Sequence, residues 1–93
     1  MIKAKKGFLL RRLGAEYMVV AIGEASRNFN GMIRMNETGA FYWKELEKGA
    51  TEDALVEKTQ ERFPDVDADT ACRDVHAFLQ SISIALDHDP SDD

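Results

Sequence analysis

The chain has 93 residues, 44% hydrophobic and 31% charged, which allows one small domain with a single core and excludes a second core or wholesale disorder. Its formal charge of −5 is uneven: residues 1 to 12 carry five Lys/Arg and no acid, while residues 13 to 93 carry seven against 17 Asp/Glu. The single cysteine, Cys72, excludes an internal disulfide or a multi-cysteine zinc site. No apolar stretch follows the basic start "MIKAKKGF", which argues against a signal peptide or membrane span and for a cytoplasmic protein.

In chain order, residues 1–6 read as a flexible basic arm, residues 7–86 as one folded domain, and "DHDPSDD" (87–93) as an acidic disordered tail. "FLLRRL" (8–13) and "EYMVVAI" (16–22) are rich in β-branched and aromatic residues and flank Gly14-Ala15, which predicts a tight hairpin. The second run is apolar nearly throughout, so which of its faces is buried stays open. "GEASRNFN" (23–30) reads as a loop, and "GMIRM" (31–35) as a third strand at the edge of an antiparallel meander.

Asn36 fits a helix N-cap, with Glu37 at the positive end of the dipole. Gly39, Trp43 and Leu46 then form a core stripe beside Ala40, and Gly49 stops the helix. A glycine inside a helix lowers its propensity, so Gly39 predicts a neighbouring backbone or ring packed against that turn. Successive residues point about 100° apart on a helix, so "FYW" (41–43) is no stacking platform; Trp43 is expected in the core and Tyr42 partly exposed.

Thr51 caps a second helix, with Leu55, Thr59 and Phe63 on one face and Pro64 at its end. Asp67 caps the third and longest, along which Ala71, Val75, Phe78, Leu79, Ile82 and Leu86 repeat at helical spacing while Cys72 widens the stripe. Three strands followed by three helices, the first two joined by a short turn, predict an α+β fold of winged helix-turn-helix-like type.

Chemistry is sparse in this pattern. Cys72 and His76 stand i, i+4 on one helix, a pair that could chelate or activate a thiolate, yet no third ligand accompanies them, His88 falling in the tail. The carboxylates serve caps and polar faces rather than an acid/base pair. No catalytic residue, metal or cofactor is expected. DNA binding is disfavoured because residues 51 to 93 hold 12 acids and three Lys/Arg, which would repel phosphates from the helical surface.

The segment from Phe29 to Ile82 resembles the PqqD family. The resemblance rests on Met35-Asn36-Glu37-Thr38-Gly39-Ala40, then Trp43, Gly49 and Thr51, then Asp74-Val75-His76-Ala77-Phe78-Leu79, with the hairpin in front extending it over roughly residues 7 to 86. Met35 departs from the more common leucine, and "IALDHDPSDD" lacks the usual apolar end. The resemblance implies a non-catalytic recognition element for ribosomally made, modified peptides. Such a domain takes the leader of a precursor peptide as an added strand beside the third strand and presents it to a radical S-adenosylmethionine enzyme. Physics favours the same place, since an edge strand offers unpaired backbone groups and an adjacent helix offers pockets. The candidate peptide-binding residues are Met32, Ile33, Arg34 and Met35 on the strand and Cys72, Val75, His76 and Leu79 on the helix. The rival readings are a winged-helix DNA-binding protein and a scaffold subunit of an enzyme complex. No membrane or nucleic-acid partner is expected, and the exposed edge allows a monomer or a weak or swapped dimer.

Overall fold

The structure, a computed structural model, describes residues 1–29 and 31–88, the side chains of residues 28 and 88 excepted. Strands β1 (Ile2–Ala4), β2 (Phe8–Leu13) and β3 (Glu16–Ala21) precede a single-turn helix α1 (Ala25–Asn28) and strand β4 (Met32–Met35). Helices α2 (Glu37–Lys48), α3 (Glu52–Arg62) and α4 (Ala68–Ser81) follow, and a 3₁₀ turn over Ser83–Ala85 leads into β5 (Leu86–His88). The main sheet has the order β2-β3-β4, all antiparallel, so β4 is an edge strand as the sequence predicts.

Gly14 turns the β2–β3 hairpin at φ 65°, the positive value that the first residue of a two-residue type II′ loop requires. On the inner face Phe8 and Val19 are buried, and Leu10, Ala21, Ile33 and Met35 pack partly buried against the core. This settles the ambiguous second run: Val19 points in, while Met18 and Val20 share the outer face with their partners Arg34 and Met32. Met32 is accordingly half exposed, at 51%.

All three predicted N-caps form. Asn36 accepts from the Gly39 N–H at 2.9 Å, Thr51 from Ala54 at 3.1 Å and Asp67 from Thr70 at 2.8 Å, each satisfying an otherwise orphan donor. Gly49 ends α2 at φ 92°. Trp43, Leu46, Leu55, Val75 and Ile82 are each less than 2% exposed and form the centre of the core. The Trp43 indole N–H finds no acceptor among the described residues, a desolvation cost of about 1–3 kcal/mol that the burial of so large a ring outweighs.

Several expectations are corrected. Tyr42 is buried, because its hydroxyl finds the Thr59 hydroxyl at 2.9 Å and its ring meets Phe78 at 5.2 Å between centroids. Cys72 is exposed and adds nothing to the core stripe of α4. Leu86 belongs not to that helix but to β5, the helix ending at Ser81.

The basic arm and the start of the acidic tail are ordered against each other: Ile2 pairs with His88, Lys3 with Asp87 and Ala4 with Leu86. Ile2 also exchanges backbone hydrogen bonds of 2.8 and 2.9 Å with Ala50. Composition misled here because the charged residues alternate with apolar ones. Ile2 and Leu86 pack on the core, and Lys3 lies opposite Asp87 as a favourable cross-strand pair. Residues 89–93 of the expected tail lie outside the described residues.

Candidate functional site

The hydrogen-bonding phase of β4 follows from the hairpin. In a two-residue loop the flanking residues, Leu13 and Glu16, form a bonded pair, and bonded pairs recur at every second residue. The Ile22 N–H reaching the Gly7 carbonyl at 2.7 Å agrees with that phase at the far end of the ladder. Residues 17 and 19 of β3 therefore aim their backbone groups at β4, where Met35 and Ile33 are their partners. The N–H and C=O groups of Met32 and Arg34 consequently face the open edge.

Beside that edge lies a groove of about 500 Å³ between β4 and α4. Ile33, Arg34 and Met35 form its strand wall, and Asp74, Phe78, Ser81 and Ile82 its helix wall. Gly39 and Tyr42 line its base. The glycine is required there: a Cβ on residue 39 would stand 2.8 Å from the Met35 Cβ and 3.1 Å from the Phe78 ring, closer than packed atoms tolerate. Strand, first helix and last helix thus meet at Gly39, as its place in the helix predicts. Phe78 is held by Tyr42 yet remains partly exposed, so the groove offers an apolar wall.

A second depression, of about 390 Å³, continues from the first and shares Arg34, Met35 and Asn36 with it. It runs onto Ala15, Glu16 and Tyr17 at the hairpin.

Of the eight residues expected from the sequence, the structure brings Ile33, Arg34 and Met35 to the groove. Met32 contributes its edge-facing backbone, with its side chain on the outer sheet face. The helix residues are corrected. Val75 is fully buried and Leu79 is 7% exposed, so both are core. Cys72 and His76 lie on another face of α4, where His76 Nδ1 meets the Glu52 carboxylate of α3 at 3.1 Å. The groove-facing row is instead Asp74, Phe78 and Ser81, which the i, i+4, i+7 spacing allowed but which mixed polarity hid. No group of three or more His, Cys, Asp or Glu suited to a metal ion occurs among the described residues, and no helix is long and apolar enough to cross a membrane.

The model of the family described as coenzyme PQQ synthesis protein D (PqqD) matches residues 9–83. The chain belongs to the PqqD family. The match takes in the hairpin, the edge strand, and α2, α3 and α4, so the whole groove of this PqqD-family protein lies inside it. No curated protein sequence matches the chain. Among solved structures, TbiB1 in complex with the TbiA(beta) leader peptide is similar to this chain, with a TM-score of 0.71 and 18% identity over 87% of each chain. That likeness shares the fold with this PqqD-family member: a three-stranded antiparallel sheet followed by helices.

Proposed function

We propose that this PqqD-family protein is a non-catalytic module that captures the leader of a ribosomally made precursor peptide by strand addition on β4 and presents it to a radical S-adenosylmethionine enzyme. The observation that carries the reading is the open edge of β4 running alongside a groove of mixed polarity in which Ile33, Met35 and Phe78 offer apolar surface. The solved structure that shares this fold has a leader peptide bound, which supports the ligand class. Family membership supports the receiving enzyme and a cytoplasmic setting.

The energetics explain why edge and groove are needed together. Ordering a flexible leader costs about 1–2 kcal/mol per residue, whereas each net backbone hydrogen bond returns only about 0.5–1.5. Backbone pairing with Met32 and Arg34 therefore gives register but little affinity. Two or three leader aliphatics buried against Phe78, Ile33 and Met35, at about 1.5–3 kcal/mol each, tip the balance. A strand in that position also places every second side chain in the groove.

The test is a fluorescence-anisotropy titration with a labelled synthetic peptide covering the leader of a short precursor encoded beside this gene, with random duplex DNA in parallel. Saturable binding to the leader and none to DNA is expected. Salt-sensitive binding to DNA with no response to the leader would overturn the proposal in favour of a winged-helix reading.

A further inference from the structure

The hairpin end of the sheet concentrates positive charge on a protein that is otherwise acidic. Arg11 lies across Met18 from Arg34 on the outer face, and Arg12 lies across Tyr17 from Met35 on the inner face. The Arg12 guanidinium sits 5.8 Å above the Tyr17 ring and donates to the Gly14 carbonyl. None of the ion pairs among the described residues involves Arg11, Arg12 or Arg34, although other cations of the chain, Lys48, Lys58 and Arg62, each have a carboxylate partner. Glu16 is the one acid lining the second depression, against Arg34 in the same lining and Arg12 stacked on its Tyr17.

This is an end of the sheet where a strand added to β4 must emerge. β4 runs from Met32 towards Met35, which pairs with Tyr17 beside the hairpin turn. A chain leaving the groove at that end enters the second depression through the shared Arg34, Met35 and Asn36.

We infer that the leader carries a short acidic segment immediately flanking its apolar anchor residues, and that Arg34, which lines the second depression, and Arg12, stacked on its Tyr17, form the subsite that receives those carboxylates, with Arg11 adding positive charge from the outer face. The inference rests on the strand-addition reading and adds to it the chemistry of the peptide. Charge complementarity selects this occupant. A basic segment would meet three guanidinium groups without a carboxylate partner among the described residues, while an acidic one is repelled from the helical part of the chain, where residues 51 to 93 hold 12 acids against three Lys/Arg. The arginines therefore fix register: the acidic part of the peptide has one favourable place to lie, and the apolar residues follow into the groove.

A phage-displayed library of random twelve-residue peptides, selected on the full chain at low salt, provides the probe. Peptides that also bind the Met32→Pro variant are discarded, which keeps those that use the β4 edge and leaves the three arginines in place. The survivors are expected to pair alternating apolar residues with a neighbouring run rich in Asp and Glu. Their affinity, read by anisotropy, should fall about tenfold when Arg11, Arg12 and Arg34 are all replaced by Gln. That is about 1.4 kcal/mol, the scale of three solvent-screened ion pairs. Replacing the exposed Lys3 and Lys6 by Gln should change it less than twofold. Circular dichroism verifies that both variants are folded. Edge-dependent peptides without acidic enrichment, bound equally by the triple variant, would overturn the acidic subsite and leave strand addition standing. Failure to recover any edge-dependent peptide would overturn the strand-addition reading itself.

Discussion

Proline substitution along β4 separates backbone groups that hold the sheet from those that only a ligand would use. Ile33 bonds inward to Val19, which is fully buried, so Ile33→Pro removes a ladder hydrogen bond and strands an acceptor with no access to water. An unsatisfied buried acceptor costs about 1–3 kcal/mol, and truncating a partly buried side chain adds more, giving a loss of about 3 kcal/mol. Total stability for 93 residues is roughly 5–14 kcal/mol, so the variant still folds. At about 4–8 °C per kcal/mol its melting temperature should drop by about 12–24 °C. Arg34→Pro sits one residue on, where the lost N–H faces outward and the unfolded chain also loses freedom, so its stability should stay within about 1 kcal/mol of the parent. Thermal melts of the three proteins by circular dichroism decide the matter. Equal losses for the two variants, or a larger one for Arg34→Pro, would show the strand bonds in the opposite phase and would refute the open-edge assignment.

Phe78→Ala should weaken leader binding by about tenfold or more through loss of the apolar wall, while Cys72→Ser and His76→Ala, off the groove, should leave it unchanged; anisotropy titrations compare them. Gly39→Ala gains about 1 kcal/mol of helix propensity but drives a Cβ to 2.8 Å from the Met35 Cβ, whose position the strand backbone fixes. Overpacking of about 1–3 kcal/mol should win and lower the melting temperature, and a rise would show that strand and helix can separate at little cost. The Asp67 carboxyl is held below its ordinary 3.8 by the Thr70 backbone N–H and then by the Thr70 hydroxyl. Its contribution to stability is therefore full above that ordinary value and fades as the pH falls through the lower folded one. Asp67→Asn, which keeps a capping oxygen, should abolish this component, so melts of parent and variant should converge as the pH falls below the ordinary 3.8.

Local chemistry was legible wherever a residue type has one strong reason to be in place. Asn36, Thr51 and Asp67 cap as expected because a side-chain oxygen before an amphipathic run has few other uses. Gly39 announced a close approach and has one. The site was half legible. Its strand wall follows from the short run 31–35, but its helix wall requires knowing which stripe of α4 turns towards the core. Val75 and Leu79, expected at the site, share the apolar stripe with Phe78, which is not among the residues expected there, and only packing tells them apart by burying the first two. Tyr42 and Cys72 were misplaced for a related reason: Thr59, on a different helix, supplies the partner that lets the Tyr42 hydroxyl be buried, and nothing packs over Cys72. Strands of three residues at 2–4 and 86–88 lie below what periodicity can detect, since their partners are far apart in the chain.

That long-range pairing sets an order of events during synthesis. The hairpin, β4 and the capped helices use neighbours close in sequence, so they can form as the chain emerges at roughly 5–20 residues per second. β1 leaves the ribosome first and must wait for Leu86–His88 before its ladder can close, although Ala50 offers Ile2 an earlier backbone partner. Until then one edge of a nascent strand stands unpaired, exposed to neighbouring chains on the same message. The three basic residues in the first six, all Lys, place like charge on every such segment and discourage them from pairing with one another.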